Sequence, residues 1–158
     1  MHVKELLVIN SGRLTVTATK GINYQKPPAS SNNNSLTNGL GVGFNAPGTF
    51  QISATIVDLN FNTTFANNSE QGGVWFGIDE DNYTKLVIRK TDANAGVVQI
   101  LTEFADSGTT VDVSQDSDAA ASITNLSGKS VELFLDLDPV AETATASYSV
   151  DGGAPISV

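Results

Sequence analysis

Ser130 to Asp138 reads SVELFLDLD, with valine or leucine at every second position. Strand geometry sends successive side chains to opposite faces, so a period of two marks a β-strand with one face buried. The pattern recurs along the chain. Arg13 to Lys20 (RLTVTATK), Leu40 to Phe44, Thr49 to Leu59 (TFQISATIVDL), Val74 to Ile78, Tyr83 to Lys90, Val97 to Phe104 and Thr143 to Val150 all read as strands. Clusters of Asn, Gly, Asp, Ser and Pro separate them, and helical periodicity is confined to room for one turn at Asp118 to Ile123. The expected fold class is all-β, a two-sheet antiparallel β-sandwich forming a single domain over residues 1–158.

The 158 residues are enough to bury a real core, and 40% hydrophobic against 16% charged residues places the chain with globular domains rather than disordered ones. Eight Lys and Arg against seventeen Asp and Glu give a formal charge of −9, which argues against a nucleic-acid or anionic-lipid partner. No apolar run is long enough to span a bilayer, so no membrane partner is expected. The first nine residues are too short and too acidic for a secretory signal, so a secreted parent would have lost its own. Cysteine is absent, and the single histidine is His2, which leaves no material for a Cys nucleophile, a Ser-His-Asp triad or a His-rich metal site.

Parity assigns the faces. Val74, Phe76 and Ile78 share one side of their strand and Trp75 the other. Leu86 and Ile88 face the core with them only if the intervening turn holds an odd number of residues, three or five. Trp75, Tyr83, Lys85 and Arg89 then share one outward face. Gln99, Leu101 and Glu103 face outward where Val98 and Ile100 face in, and Glu132, Phe134, Asp136 and Asp138 do so where Val131, Leu133, Leu135 and Leu137 face in. Ala144, Ala146, Tyr148 and Val150 are placed to join the core.

Such an outward set resembles a recognition surface. Sugars present apolar C–H faces, met by flat rings, and rims of hydroxyls, met by amides, carboxylates and guanidinium groups. Candidate ligand-binding residues are therefore Trp75, Tyr83, Lys85, Arg89, Gln99, Glu103, Glu132 and Phe134. The competing reading is that Trp75 anchors a covering loop; Gln25 to Gly39 and Asn60 to Gly72 are long, polar stretches of the kind that covers or binds. The acids Asp79, Asp81, Asp116 and Asp118 are the ones a Ca²⁺ ion would use, but they lack EF-hand spacing, and Asp and Asn also suit tight turns. The turn reading is favoured, with no metal and no cofactor required.

Gly72-Gly-Val-Trp-Phe-Gly-Ile-Asp-Glu-Asp-Asn-Tyr-Thr-Lys-Leu86, followed by Val98-Gln-Ile-Leu-Thr-Glu103, resembles a concanavalin A-like sandwich. It is similar to the C-terminal modules of β-xylosidases and to modules beside malectin-like domains in secreted bacterial proteins. The resemblance implies a jelly roll that is ancillary to a catalytic or adhesive chain; such modules have a further strand after the equivalent of residues 151–158, so either that strand is trimmed away here or Pro155 to Val158 is itself the last strand. Glu132-Leu-Phe-Leu-Asp136-Leu-Asp138 is similar in outline to the acidic strand of sandwich-fold glucanases, though order and spacing differ; Glu103, Glu132 and Asp136 are the acids from which a catalytic pair could be drawn. The expected function is that of a non-catalytic, lectin-like carbohydrate-binding module, extracellular and monomeric, with a glycan and neighbouring domains of its parent as partners. A structural or adhesive spacer and a glycoside hydrolase are the alternatives.

Overall fold

A computed structural model describes residues 7–17, 40–59, 70–79, 82–92, 94–104, 109–111 and 122–158. Among these, every regular element is a strand: β1 (Leu7–Asn10), β2 (Arg13–Val16), β3 (Phe50–Val57), β4 (Gln71–Asp79), β5 (Asn82–Asp92), β6 (Ala95–Phe104), β7 (Thr109–Val111), β8 (Ser122–Thr124), β9 (Ser130–Asp138), β10 (Thr143–Val150) and β11 (Ile156–Ser157). All pairings are antiparallel. One sheet has the order β11-β10-β9-β3; the other runs β4-β5-β6-β7, with β8 also paired to β6. β1 and β2 form a separate hairpin, turned by Ser11 and Gly12 at positive φ.

The alternating residues of SVELFLDLD do what their period requires. Val131, Leu133 and Leu135 are fully buried and Leu137 nearly so. They meet Leu86, Ile88, Val98 and Ile100 from the second sheet, with Tyr148, Ile123 and Leu126 completing one cluster. Ala144, Ala146 and Val150 pack against it, as parity expects. Fully burying a leucine-sized side chain stabilises by roughly 1.5–3 kcal/mol, so these two apolar rows hold the sheets together.

The turns follow from local hydrogen bonding. Asp138 Oδ1 accepts from the backbone N–H groups of Val140 and Ala141, both at 2.9 Å, and so closes the β9–β10 connection. After β10, Asp151 and Gly152 both adopt positive φ, and the Gly153 N–H donates to Val150 O at 2.9 Å. Asp151 also ties the turn to the start of β9, its Oδ1 accepting from the Ser130 N–H at 2.9 Å.

Three expectations are corrected. Leu40 to Phe44 forms no strand: Leu40, Val42 and Phe44 are exposed, and glycines at 41 and 43 leave little to favour an extended ladder. Phe44 instead packs edge-on against Phe50, ring centroids 5.1 Å apart. Ile78 is 92% exposed rather than inward. The β4–β5 register pairs Gly77 with Tyr83 but Asp79 with Asn82, so Ile78 is the extra residue of a bulge. Five residues thus separate Gly77 from Tyr83, an odd number, and Trp75 pairs with Lys85 while Phe76 avoids it. Finally, the face carrying Tyr83 and Lys85 is not open to solvent. Tyr83, Lys85, Val87, Val97 and Leu101 are all buried, so the second sheet is covered on both sides. β7, β8 and β1 lie in stretches whose alternation is too short to read, and the proposed helical turn falls almost wholly outside the described residues.

Leu133→Ala is expected to lower the unfolding free energy by about 2–5 kcal/mol, while Ile78→Ser changes it by less than about 0.5 kcal/mol; urea unfolding of both variants measures this. A large loss on changing Ile78 would place it back in the core. Burial also raises the pKa of the Tyr148 hydroxyl. The folded state therefore holds that proton more tightly than the unfolded chain does. Its contribution is intact below about pH 10 and is lost as pH rises from there through the raised folded value. Absorbance titration should show one tyrosine ionising late in the folded protein, and Tyr148→Phe should remove that step.

Candidate functional site

The eight nominated residues do not form one surface. Trp75, Tyr83, Lys85, Arg89 and Gln99 belong to β4, β5 and β6, on the side of the five-stranded sheet away from the core, and Glu103 is a residue of the same β6. Glu132 and Phe134 belong to β9, on the outer side of the other sheet. The whole thickness of the sandwich separates the two groups. Glu103 lies on a strand of the opposite sheet from Glu132 and Asp136. Those two sit four residues apart on one strand, about 13 Å along it, beyond the reach of a carboxylate pair flanking a glycosidic bond.

The first group is a packed layer. The Trp75 ring meets the Tyr83 ring edge-on, centroids 6.4 Å apart, and the Lys85 ammonium lies 5.9 Å from the Tyr83 ring centroid. Tyr83 and Lys85 are each 2% exposed. Glycines make room for this arrangement. A Cβ at Gly77 would come 2.6 Å from Tyr83 Cβ, and one at Gly73 would lie 2.7 Å from Val87 Cα, so only glycine fits on either side of Trp75. Gln99 is half-buried, and Glu103 stands opposite Tyr83 in the register. Near the other end of β5, Lys90 is buried in an ion pair with Glu70 at 3.6 Å.

The turn acids behave as turn residues where they are described. Asn82 Nδ2 donates to Asp79 Oδ1 at 2.9 Å and closes the β4–β5 connection. Asp81, Asp116 and Asp118 lie outside the described residues, as does His2. Among the described residues no three Asp, Glu or His side chains come together as a metal would need.

The second group leads to a more open site. Thr49, Gln51, Asp136, Asp138, Thr143 and Thr145 surround a depression of about 390 Å³ on the outer face of the four-stranded sheet. Gln51, Asp136 and Thr145 occupy one cross-strand row, since Asp136 pairs with both neighbours in register. Gln51 Nε2 donates to Asp136 Oδ1 at 2.8 Å, so each planar group fixes the other. Asp136 keeps acceptor capacity, and the Gln51 carbonyl and three threonine hydroxyls stand around it. Phe134, half-buried, stands on the same face two residues from Asp136, and Glu132 lies beyond it. Gln51 was missed by sequence reasoning because its partner is 85 residues away. Alternation marks it as outward, but nothing local reports which strand lies beside it.

No protein-family model, characterised protein or solved structure matches the chain.

Two kinds of variant separate packing from recognition. Trp75→Ala should lower the denaturation midpoint, with a loss of about 2 kcal/mol, because it strips the Tyr83 ring and leaves space between two glycines. Gln51→Ala should cost less than about 0.5 kcal/mol, because the side chain is exposed. An unmoved midpoint in Trp75→Ala would contradict the packed layer.

Proposed function

We propose that this chain is a non-catalytic, lectin-like carbohydrate-binding module of a multidomain extracellular protein, with the connectivity of a concanavalin A-like jelly roll. One observation carries the reading: the depression on the outer face of the four-stranded sheet, where Gln51 and Asp136 hold each other in place beside three threonine hydroxyls. A planar amide and a planar carboxylate with fixed orientation suit the paired hydroxyls of a sugar ring, and such groups need little ordering on binding. Phe134 on the same face supplies the ring against which an apolar sugar face would lie. The Trp75 and Tyr83 platform gives way in this reading to a structural role.

The spacer reading is favoured by a different feature. Leu7, Ile9, Leu14 and Val16 pair across the β1–β2 hairpin on one face; Ile9 is 81% exposed and Leu14 and Val16 about half exposed. A two-stranded hairpin with an open apolar face has little stability by itself, and a neighbouring domain would stabilise it.

A panel of soluble polysaccharides in affinity gels, followed by calorimetry on those that retard the protein, decides between the two. The expected result is retention by at least one polysaccharide, weakened about tenfold by Gln51→Ala and by Asp136→Ala, the effect of losing one charge-assisted hydrogen bond. Folded protein that binds no member of the panel would overturn the carbohydrate reading in favour of the spacer.

A further inference from the structure

Charge is divided unequally between the two sheets. β3, β9, β10 and β11 contain no lysine, arginine or histidine, and their three carboxylates, Glu132, Asp136 and Asp138, all fall on the outer side of β9. The described cations lie elsewhere. Lys85, Arg89 and Lys90 belong to β5, in the opposite sheet. Arg13 pairs with Asp58 at 3.0 Å and Lys129 precedes β9, both at the far end of the four-stranded sheet from the depression. Gln51 and Asp58 are seven steps apart along and just past β3, about 20 Å, or more than two Debye lengths at physiological salt.

From this division we infer, building on the carbohydrate reading, that the depression is a charge filter that admits uncharged glycans and excludes uronic-acid and sulfated ones. A carboxylate or sulfate on a bound sugar would come within a few ångströms of Asp136 and Asp138 with no described base to compensate. Proteins that hold acidic ligands use arginine or lysine for that purpose, and here every lining side chain that offers hydrogen bonds is an amide, a hydroxyl or a carboxylate. Asp138 Oδ1 already accepts two backbone N–H groups, and Asp136 Oδ1 accepts from Gln51, so both carboxylates are held in place on the sheet. An uncharged glycan meets no such repulsion and can donate its hydroxyls to the free oxygens.

Matched pairs of oligosaccharides differ only at the uronic carboxyl: polygalacturonate fragments against their methyl esters, and glucuronic-acid-substituted xylan against the same xylan with that carboxyl reduced to the alcohol. Binding is measured at about 20 mM and about 300 mM salt, where screening lengths differ several-fold. Expected is retention of the neutral partner, with the acidic one at least about tenfold weaker at low salt and the gap narrowing as salt rises. Asp136→Asn removes the charge but keeps an acceptor for Gln51, and should narrow the low-salt gap several-fold in favour of the acidic partner. Equal or tighter binding of the acidic partner in the wild type would overturn the filter while leaving carbohydrate binding in place, as would a gap that Asp136→Asn leaves unchanged. Binding of neither partner in either pair would overturn the filter for these glycans, and the polysaccharide panel would then show whether carbohydrate binding itself fails.

Discussion

Everything in this fold rests on one contact: the row Val131, Leu133, Leu135 and Leu137 from β9 laid against Leu86, Ile88, Val98 and Ile100 from β5 and β6. Neither sheet can be stable alone, because each would leave that row in water. Once the rows meet, strand parity determines where every neighbouring side chain goes. A slip of one residue in β9 would drive Glu132, Phe134 and Asp136 into the core, so register is strongly enforced there. The outward row of the same strand therefore has a fixed position, and its composition is free to vary.

How much of this was legible in sequence follows from the same logic. The inward residues of β9 and β10 could be named because alternation is local information. The pairing of Trp75 with Lys85 also held, although the turn between Asp79 and Asn82 holds two residues and it is the bulge at Ile78 that restores the expected parity. What failed was the inference that a residue turned away from the core is turned toward solvent. Leu86-Val87-Ile88 and Val97-Val98 are continuous apolar runs, the pattern of strands covered on both faces, and they were the signal that the outer side of this sheet is buried. Ile78 failed for another reason. A bulge inserts one residue into one strand only, and nothing in Gly77-Ile78-Asp79 states which strand takes it.

The site was harder to see than the fold because its parts come from distant segments. Glu132 and Phe134 were placed on an outward row correctly, yet grouped with residues of the other sheet, since strand order is not written in any single strand. Gln51 meets Asp136 only because β3 lies beside β9 after the whole of the five-stranded sheet has been formed in between. Long-range pairing of this kind is set by which apolar faces can be buried together, a property of the complete chain.

The two outer faces illustrate how one architecture divides its tasks. On the five-stranded sheet, Gly73 and Gly77 let the backbones of β4 and β5 approach closely around Trp75, so the Trp75 and Tyr83 rings and Lys85 are committed to packing. Any change there disturbs a crowded layer. On the four-stranded sheet, Gln51, Asp136 and Thr145 stand on a backbone whose register is fixed from beneath by Ile52, Leu135 and Ala146. Their side chains are exposed, Gln51 and Asp136 are hydrogen-bonded to each other rather than to the core, and all three are removable at small cost in stability. Recognition chemistry is best placed where the fold has already fixed position and does not itself use the groups, and within the described residues this outer row meets both conditions.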